Sequence, residues 1–145
     1  MKKVLAFAMA LAMVFSMAGC GNGSNSGSTN SGGDEVETLK IGVVCPISGV
    51  SAIAGKYITN GVEVVENELG GKIDIKGKEY NIEFIYMDNE ASEEKTTNVF
   101  QKLIEAEKVI AIVGPDMSKC ALAAGPIAQN AKCPIVTTFA TNTAV

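Results

Sequence analysis

The sequence predicts an α/β domain in three layers, a parallel sheet covered by helices on both faces. Short apolar runs bounded by turn residues alternate with stretches that are apolar at helical spacing. The connections are long enough for crossovers between parallel strands. The first run, Leu39 to Val44, reads as a buried parallel strand. After a loop from Cys45 to Ala54, Ile58, Val62, Val65 and Leu69 recur at helical offsets, and Gly70-Gly71 ends the pattern. Ile73 to Ile75 and Tyr80 to Tyr86 flank the turn signal Lys76-Gly77-Lys78, a hairpin-like excursion before the second core strand. Ser92 with Glu93 and Glu94 supplies a cap and an acidic first turn for a helix whose buried stripe is Val99, Phe100, Leu103 and Ile104. Val109 to Val113 is a third strand, Ala121 to Ala131 a helix restricted or kinked by Pro126, and Pro134 to Thr138 a fourth strand. The chain stops at Val145 with no further helix to cover that strand, so the expectation is a truncated lobe.

The amino terminus has a different character. Lys2-Lys3, the apolar run Val4 to Phe15 and then Ser16-Met17-Ala18-Gly19-Cys20 have the three parts of a secretory signal. The run is too short for a bilayer core, which takes ~20 helical residues. Ala18-Gly19-Cys20 resembles a bacterial lipoprotein cleavage box with Cys20 as the lipidated first residue, although Met17 stands where that box most often has Leu. Gly21 to Gly33 contains only Gly, Asn, Ser and Thr, a composition that buries no apolar area and serves as a flexible tether. The expected organisation is a signal peptide over 1–19, a lipidated cysteine and tether over 20–38, and a partial ligand-binding lobe over 39–145. Removal of 1–19 takes away two lysines and no acids, moving the net charge from −4 to −6.

Composition excludes several functions. With 47% hydrophobic and 19% charged residues the chain can bury a core, and all its basic residues are lysine. Without Arg, His or Trp it cannot build a Ser-His-Asp triad, histidine-ligated zinc or a bidentate guanidinium clamp. Its acidic balance gives no electrostatic footprint for nucleic acid. Once Cys20 is assigned to lipid, Cys45, Cys120 and Cys133 form an odd set. Cys45 and Cys120 fall beyond strand carboxyl ends and could approach each other, while three small half-buried thiols are the plainer expectation. No C-x-x-C spacing suggests a redox or metal site.

In an open parallel sheet, ligands sit beyond the carboxyl ends of the strands. The loops there carry Ser48, Gly49, Ser51, Asp116, Ser118, Thr141 and Asn142. A phosphate-binding loop fails, because Gly49 and Gly55-Lys56 enclose five residues and Tyr57 stands where the magnesium-binding Ser or Thr should be. An acidic receiver-type cluster of Asp88, Glu90 and Asp116 fails too, because the first strand ends in Val44-Cys45-Pro46 with no acidic pair; Asp88 and Glu90 read as a cap or solvated turn. Binding remains. Ser118 stands at the predicted amino end of the third helix, where its hydroxyl and nearby N–H groups suit an anion or simply cap the helix. Thr141 and the backbone of Phe139, after the fourth strand, suit an ammonium.

The segments Ile41 to Gly49, Asn60-Gly61-Val62-Glu63, Val113 to Ser118, Pro126-Ile127-Ala128 and Pro134 to Asn142 resemble the amino-terminal lobe of the branched-chain amino acid solute-binding proteins. These are extracytoplasmic receptors of ABC importers with the type I periplasmic-binding fold. The match runs in register from Leu39 to the last residue. The resemblance implies two similar lobes joined by a hinge and closing on a small solute, delivery to ABC permease subunits, and neither catalysis nor a cofactor. By position, Ser118 matches the serine that binds the ligand carboxylate, Phe139 a backbone contact, and Thr141 the threonine touching carboxylate and ammonium. Ser48 joins them from the first loop. Where the family often sets an aromatic against the ligand side chain, this chain has Ala54 beside Ile53, and Glu90 lies where the first half of a family cystine would be. The expected function is an amino acid or related polar solute receptor, lipid-anchored outside the cell membrane. The alternative is a sensor of the same fold regulating a partner protein. An extracellular hydrolase would need a base that a chain without histidine does not offer to Ser118.

Overall fold

The computed structural model describes residues 36–145. The predicted signal peptide, Cys20 and nearly all of the tether lie outside the described residues. The elements are β1 Thr38–Cys45, α1 Ala52–Leu69, β2 Lys72–Ile75, β3 Lys78–Asp88, α2 Glu93–Glu105, β4 Ala111–Val113, α3 Ser118–Ala131 and β5 Ile135–Val136. They form one sheet in the order β2-β3-β1-β4-β5. β1 is parallel to β3 on one side and to β4 on the other, with Gly42 opposite both Ile85 and Ile112. β5 continues the parallel set beyond β4. The predicted hairpin is present. β2 is the antiparallel edge strand paired to β3, and Lys76 (φ 54°) and Gly77 (φ 84°) make its two-residue turn, with Asp74 Oδ1 accepting from Gly77 N–H at 3.0 Å.

Strand order reverses at β1, which places the topological switch between β1 and β4 and the loops that follow them side by side. Gly114 makes this junction close. Its φ is 107°, and a Cβ there would stand 2.0 Å from the Val44 carbonyl oxygen.

The two faces bury different clusters. α2 and α3 cover one, where Phe100, Leu103, Ile112, Val44 and Ala124 are buried with Val109, Ala128 and Cys133. α1 covers the other, where Val43, Cys45 and Ile58 are buried and Val62, Phe84 and Tyr86 pack around them. Ser92 caps α2 as expected, its Oγ accepting from Lys95 N–H at 3.4 Å, with Glu93 and Glu94 in the first turn. α1 ends at Gly70 in the left-handed conformation, its N–H donating to the Glu66 carbonyl.

Several boundaries differ from the sequence expectation for identifiable reasons. Val109 does not enter β4: its N–H turns back to the Leu103 carbonyl at 3.1 Å and its side chain packs under α2. β5 stops at Val136 instead of Thr138, because its neighbour β4 gives way to Gly114-Pro115 and proline has no N–H to continue the ladder. α3 begins at Ser118, the residue expected at its amino end, ahead of the helical pattern read from Ala121, and Pro126 lies inside it. Val65, one of the apolar residues at helical spacing in α1, is 43% exposed, because no further element covers that side of the helix among the described residues. Among those residues no helix is long and apolar enough to cross a membrane.

Candidate functional site

Four loops converge at the carboxyl ends of the strands: 46–51 after β1, 89–92 after β3, 114–117 after β4 and 137–145 after β5. Gly55 seats the first of them. It is buried, and a Cβ there would lie 2.0 Å from the Pro46 carbonyl oxygen, so only glycine lets the first turn of α1 rest against this loop.

Ser118 and Thr141 come together. Ser118 is the first residue of α3, Met117 being its N-cap, so the capping role open to Ser118 in the sequence is not the one it takes. Its Oγ instead accepts from the backbone N–H groups of Thr141 at 3.1 Å and Asn142 at 3.2 Å. Both lone pairs of the hydroxyl are thereby engaged and its own proton is left to donate. The loop is held further by Asn142 Oδ1, which accepts from Ala144 N–H at 2.9 Å. A donor hydroxyl at the amino end of a 14-residue helix is an arrangement suited to a carboxylate.

Phe139 is 57% exposed and lines an apolar groove of about 400 Å³ with Tyr57, Ile58, Val62, Val65 and Val113. Ile53 lies apart from it, lining a second hollow with Ile47, Lys56 and Thr59, and Ala54 is half-buried behind it in the first turn of α1. The described residues do not bring Ile53 and Phe139 into one cavity. A larger hollow of about 830 Å³ opens where α3 ends and β5 begins, at the opposite end of the sheet from the convergent loops.

Ser48 is exposed and donates its hydroxyl to Asp88 Oδ2 at 2.5 Å. Asp88 ends β3, and its Oδ1 also accepts from the N–H groups of Ile47 and Glu90, both at 2.9 Å. Burial acts to raise the Asp88 pKa, but the hydrogen bonds from Ser48, Glu90 and Ile47 outweigh it and hold the carboxyl below its ordinary value. The adjoining Asn89 is fully buried, with Oδ1 accepting from Ala91 N–H at 3.2 Å and Nδ2 donating to Thr96 Oγ1 at 3.1 Å. These side chains hold Glu90 (φ 47°) and Ala91 (φ 54°), two consecutive non-glycine residues in the left-handed region. The Glu90 carboxylate pairs with Lys95. The cap or solvated turn expected of Asp88 and Glu90 is present, with Asp88 capping the exposed Glu90 N–H, and the buried Asn89 behind it is the addition that the sequence reading lacked.

Asp116, placed by sequence among the loop residues, turns inward and is 2% exposed, and its Oδ1 has no hydrogen-bond partner among the described residues. Cys45, Cys120 and Cys133 are free and buried, not half-buried, Cys45 and Cys120 fully and Cys133 nearly so. Burial, followed by the nearby Asp116 and Asp88, pushes the Cys45 thiol up to about 11. Burial likewise raises Cys120 and Cys133. No group of three or more potential metal ligands occurs among the described residues.

The sheet order, the switch-point loops and the helix terminus at Ser118 define a binding-protein lobe, and comparison with known proteins gives the family. A periplasmic binding protein family model matches residues 38–144, and the chain belongs to this family. No curated protein sequence matches it. Among solved structures, a solute binding protein of an ABC transporter from Rhodopseudomonas palustris BisB5, in complex with 3,4-dihydroxybenzoic acid, is 35% identical with a TM-score of 0.64, the match covering 71% of this chain and 27% of that one. The branched-chain amino acid transporter substrate binding protein LivJ from Streptococcus pneumoniae, in complex with isoleucine, is 31% identical with a TM-score of 0.66, covering 74% and 30%. A leucine binding protein, LivK, from Thermotoga maritima is 30% identical with a TM-score of 0.63, covering 72% and 28%. The chain thus matches less than a third of the length of each of these structures.

Proposed function

We propose that this chain is the amino-terminal lobe of an extracytoplasmic solute receptor of an ABC importer, binding a small carboxylate-bearing solute between two lobes and performing no chemistry. The observation that carries the reading is Ser118, whose oxygen is engaged by the Thr141 and Asn142 N–H groups and whose proton is left for an acceptor. In it Ser118 donates to the ligand carboxylate, Thr141 adds its hydroxyl, Phe139 contributes backbone, and Ser48 from the first loop with Ile53 and Ala54 from the first turn of α1 border the ligand. Amino acids of the branched-chain type are the first ligand class, in line with the isoleucine and leucine binders among the similar structures. Aromatic acids are the second, favoured by the apolar groove beside Phe139 and by the dihydroxybenzoate complex. The partners are ABC permease subunits, with a sensor of the same fold as the competing reading.

The organisation proposed is a signal peptide over 1–19, a lipid-bearing Cys20 with its tether to residue 38, and the lobe from 39. Metabolic labelling with palmitate is expected to mark the wild type and not Cys20→Ser. Absence of label from the wild type rejects the anchor.

The site is tested in the full-length protein by calorimetry against amino acids and hydroxybenzoates. A hydrogen bond to a charged ligand group is worth ~1.5–3 kcal/mol, so Ser118→Ala and Thr141→Val are each expected to weaken the best ligand about tenfold or more. Ser118→Ala also frees the Thr141 and Asn142 amides, so it should be the more severe. Wild-type affinity in both variants would remove these residues from the site.

A further inference from the structure

Asp88 lies between two of the convergent loops and belongs to neither. Its Oδ1 accepts from Ile47 N–H in the loop after β1 and from Glu90 N–H in the loop after β3, each at 2.9 Å. Its Oδ2 accepts the Ser48 hydroxyl at 2.5 Å, across 40 residues of sequence. An ionised carboxylate only accepts, so the Ser48 proton has to point at Asp88. The exposed side of Ser48 Oγ is therefore left with lone pairs alone. Ser118 has the reverse polarity, because its lone pairs face the Thr141 and Asn142 amides.

We propose that Asp88 is a specificity-setting positioning residue: by holding the Ser48 proton it makes the first loop a hydrogen-bond acceptor, opposite in sense to Ser118, and so selects solutes bearing both a carboxylate and an ammonium or hydroxyl donor. The inference rests on the receptor reading above and adds the polarity of the ligand's second group. The pKa of Asp88, held below its ordinary value by these same donors against burial, keeps the carboxylate ionised through neutral pH. Around this junction stand the Cys45 thiol at the end of β1, the buried Asp116 near it, and the Glu90–Lys95 pair after β3. The thiol is neutral at that pH, and the pair is internally compensated.

Asp88→Asn inverts one hydrogen bond and conserves shape. Its carbonyl oxygen can keep both backbone donors, while its amide can only donate toward Ser48, which must then turn its proton outward. The probes are two matched pairs on the full-length protein: L-leucine against 4-methylpentanoate, and 4-hydroxybenzoate against benzoate. The wild type is expected to prefer the donor-bearing member of the pair it binds by about tenfold or more. Asp88→Asn should collapse that preference, and Ser48→Ala should do the same. Equal weakening of both members by Asp88→Asn, with the preference retained, would mean a merely structural role and overturn the proposal. A ligand-free arm follows the Asp88 carboxyl by carbon-13 NMR titration. Its midpoint should lie below the ordinary Asp range in the wild type and rise in Ser48→Ala, and an unmoved midpoint overturns the Ser48–Asp88 bond itself. If none of the four acids binds, the ligand classes assigned to the receptor are rejected, and Asp88 is judged by the titration.

Discussion

The two faces of the sheet are built to different degrees of closure. On the α2–α3 face, Phe100, Leu103, Ile112 and Val44 are buried together, and Gly42 is bare so that Leu103 can approach: a Cβ there would stand 2.8 Å from Leu103 Cδ1. On the α1 face the buried apolar cluster among the described residues is the smaller set Val43, Cys45 and Ile58, and the groove from Tyr57 and Val65 to Phe139 stays open. Identical strand pairing thus supports a dry core on one side and an accessible apolar surface on the other. Sheet hydrogen bonding sets where the strands lie; helix coverage sets how much apolar surface leaves the water.

The largest expected effect tests this contrast directly. Phe100→Ala should cost about 3–5 kcal/mol, whereas Ile58→Ala should fall near the lower end of the ~2–5 kcal/mol range, since its surroundings can relax toward the open groove. Urea unfolding of the two variants measures both, and equal losses would break the comparison. Gly42→Ala overpacks only the closed face and should cost ~1–3 kcal/mol, less if Leu103 can turn aside.

A sharper question is how far water enters the α1 face. Cys45 sits at its centre, fully buried, with its thiol raised to about 11 by burial and by Asp116 and Asp88. Iodoacetamide at pH 8 should leave it unmodified until the chain is unfolded, since the thiolate is the reactive form. Rapid alkylation under native conditions would show that the open groove reaches β1. The same displacement predicts stability that is flat below the unfolded thiol value near ~8.5 and falls as pH rises from there toward the folded value, because only the unfolded chain releases the proton in that window. Cys45→Ala should make that fall shallower, the raised Cys120 and Cys133 thiols supplying what is left. The smallest effect belongs to Val65→Ala, which should change stability by no more than ~0.5 kcal/mol in the described lobe, because the side chain is largely solvated already.

Much of this molecule is legible from local pattern. Apolar runs and helical spacing identify every core strand and helix, Gly70-Gly71 marks the end of α1, and Lys76-Gly77 the hairpin turn, because each depends on residues within a few positions of one another. Placing Ser118 and Thr141 at strand carboxyl ends needs little more than the crossover rule. Tertiary structure alone decided what the serine hydroxyls do. Ser118 receives amides from 23 and 24 residues away, and Ser48 gives its proton to a carboxylate 40 residues away. Such partners are chosen by strand order, which periodicity does not encode. For the same reason Val65, apolar at the right spacing, is exposed, while Asp116, polar and in a loop, is buried. A side chain's own chemistry fixes which bonds it can make, and the neighbours brought by the sheet fix which of them it does make.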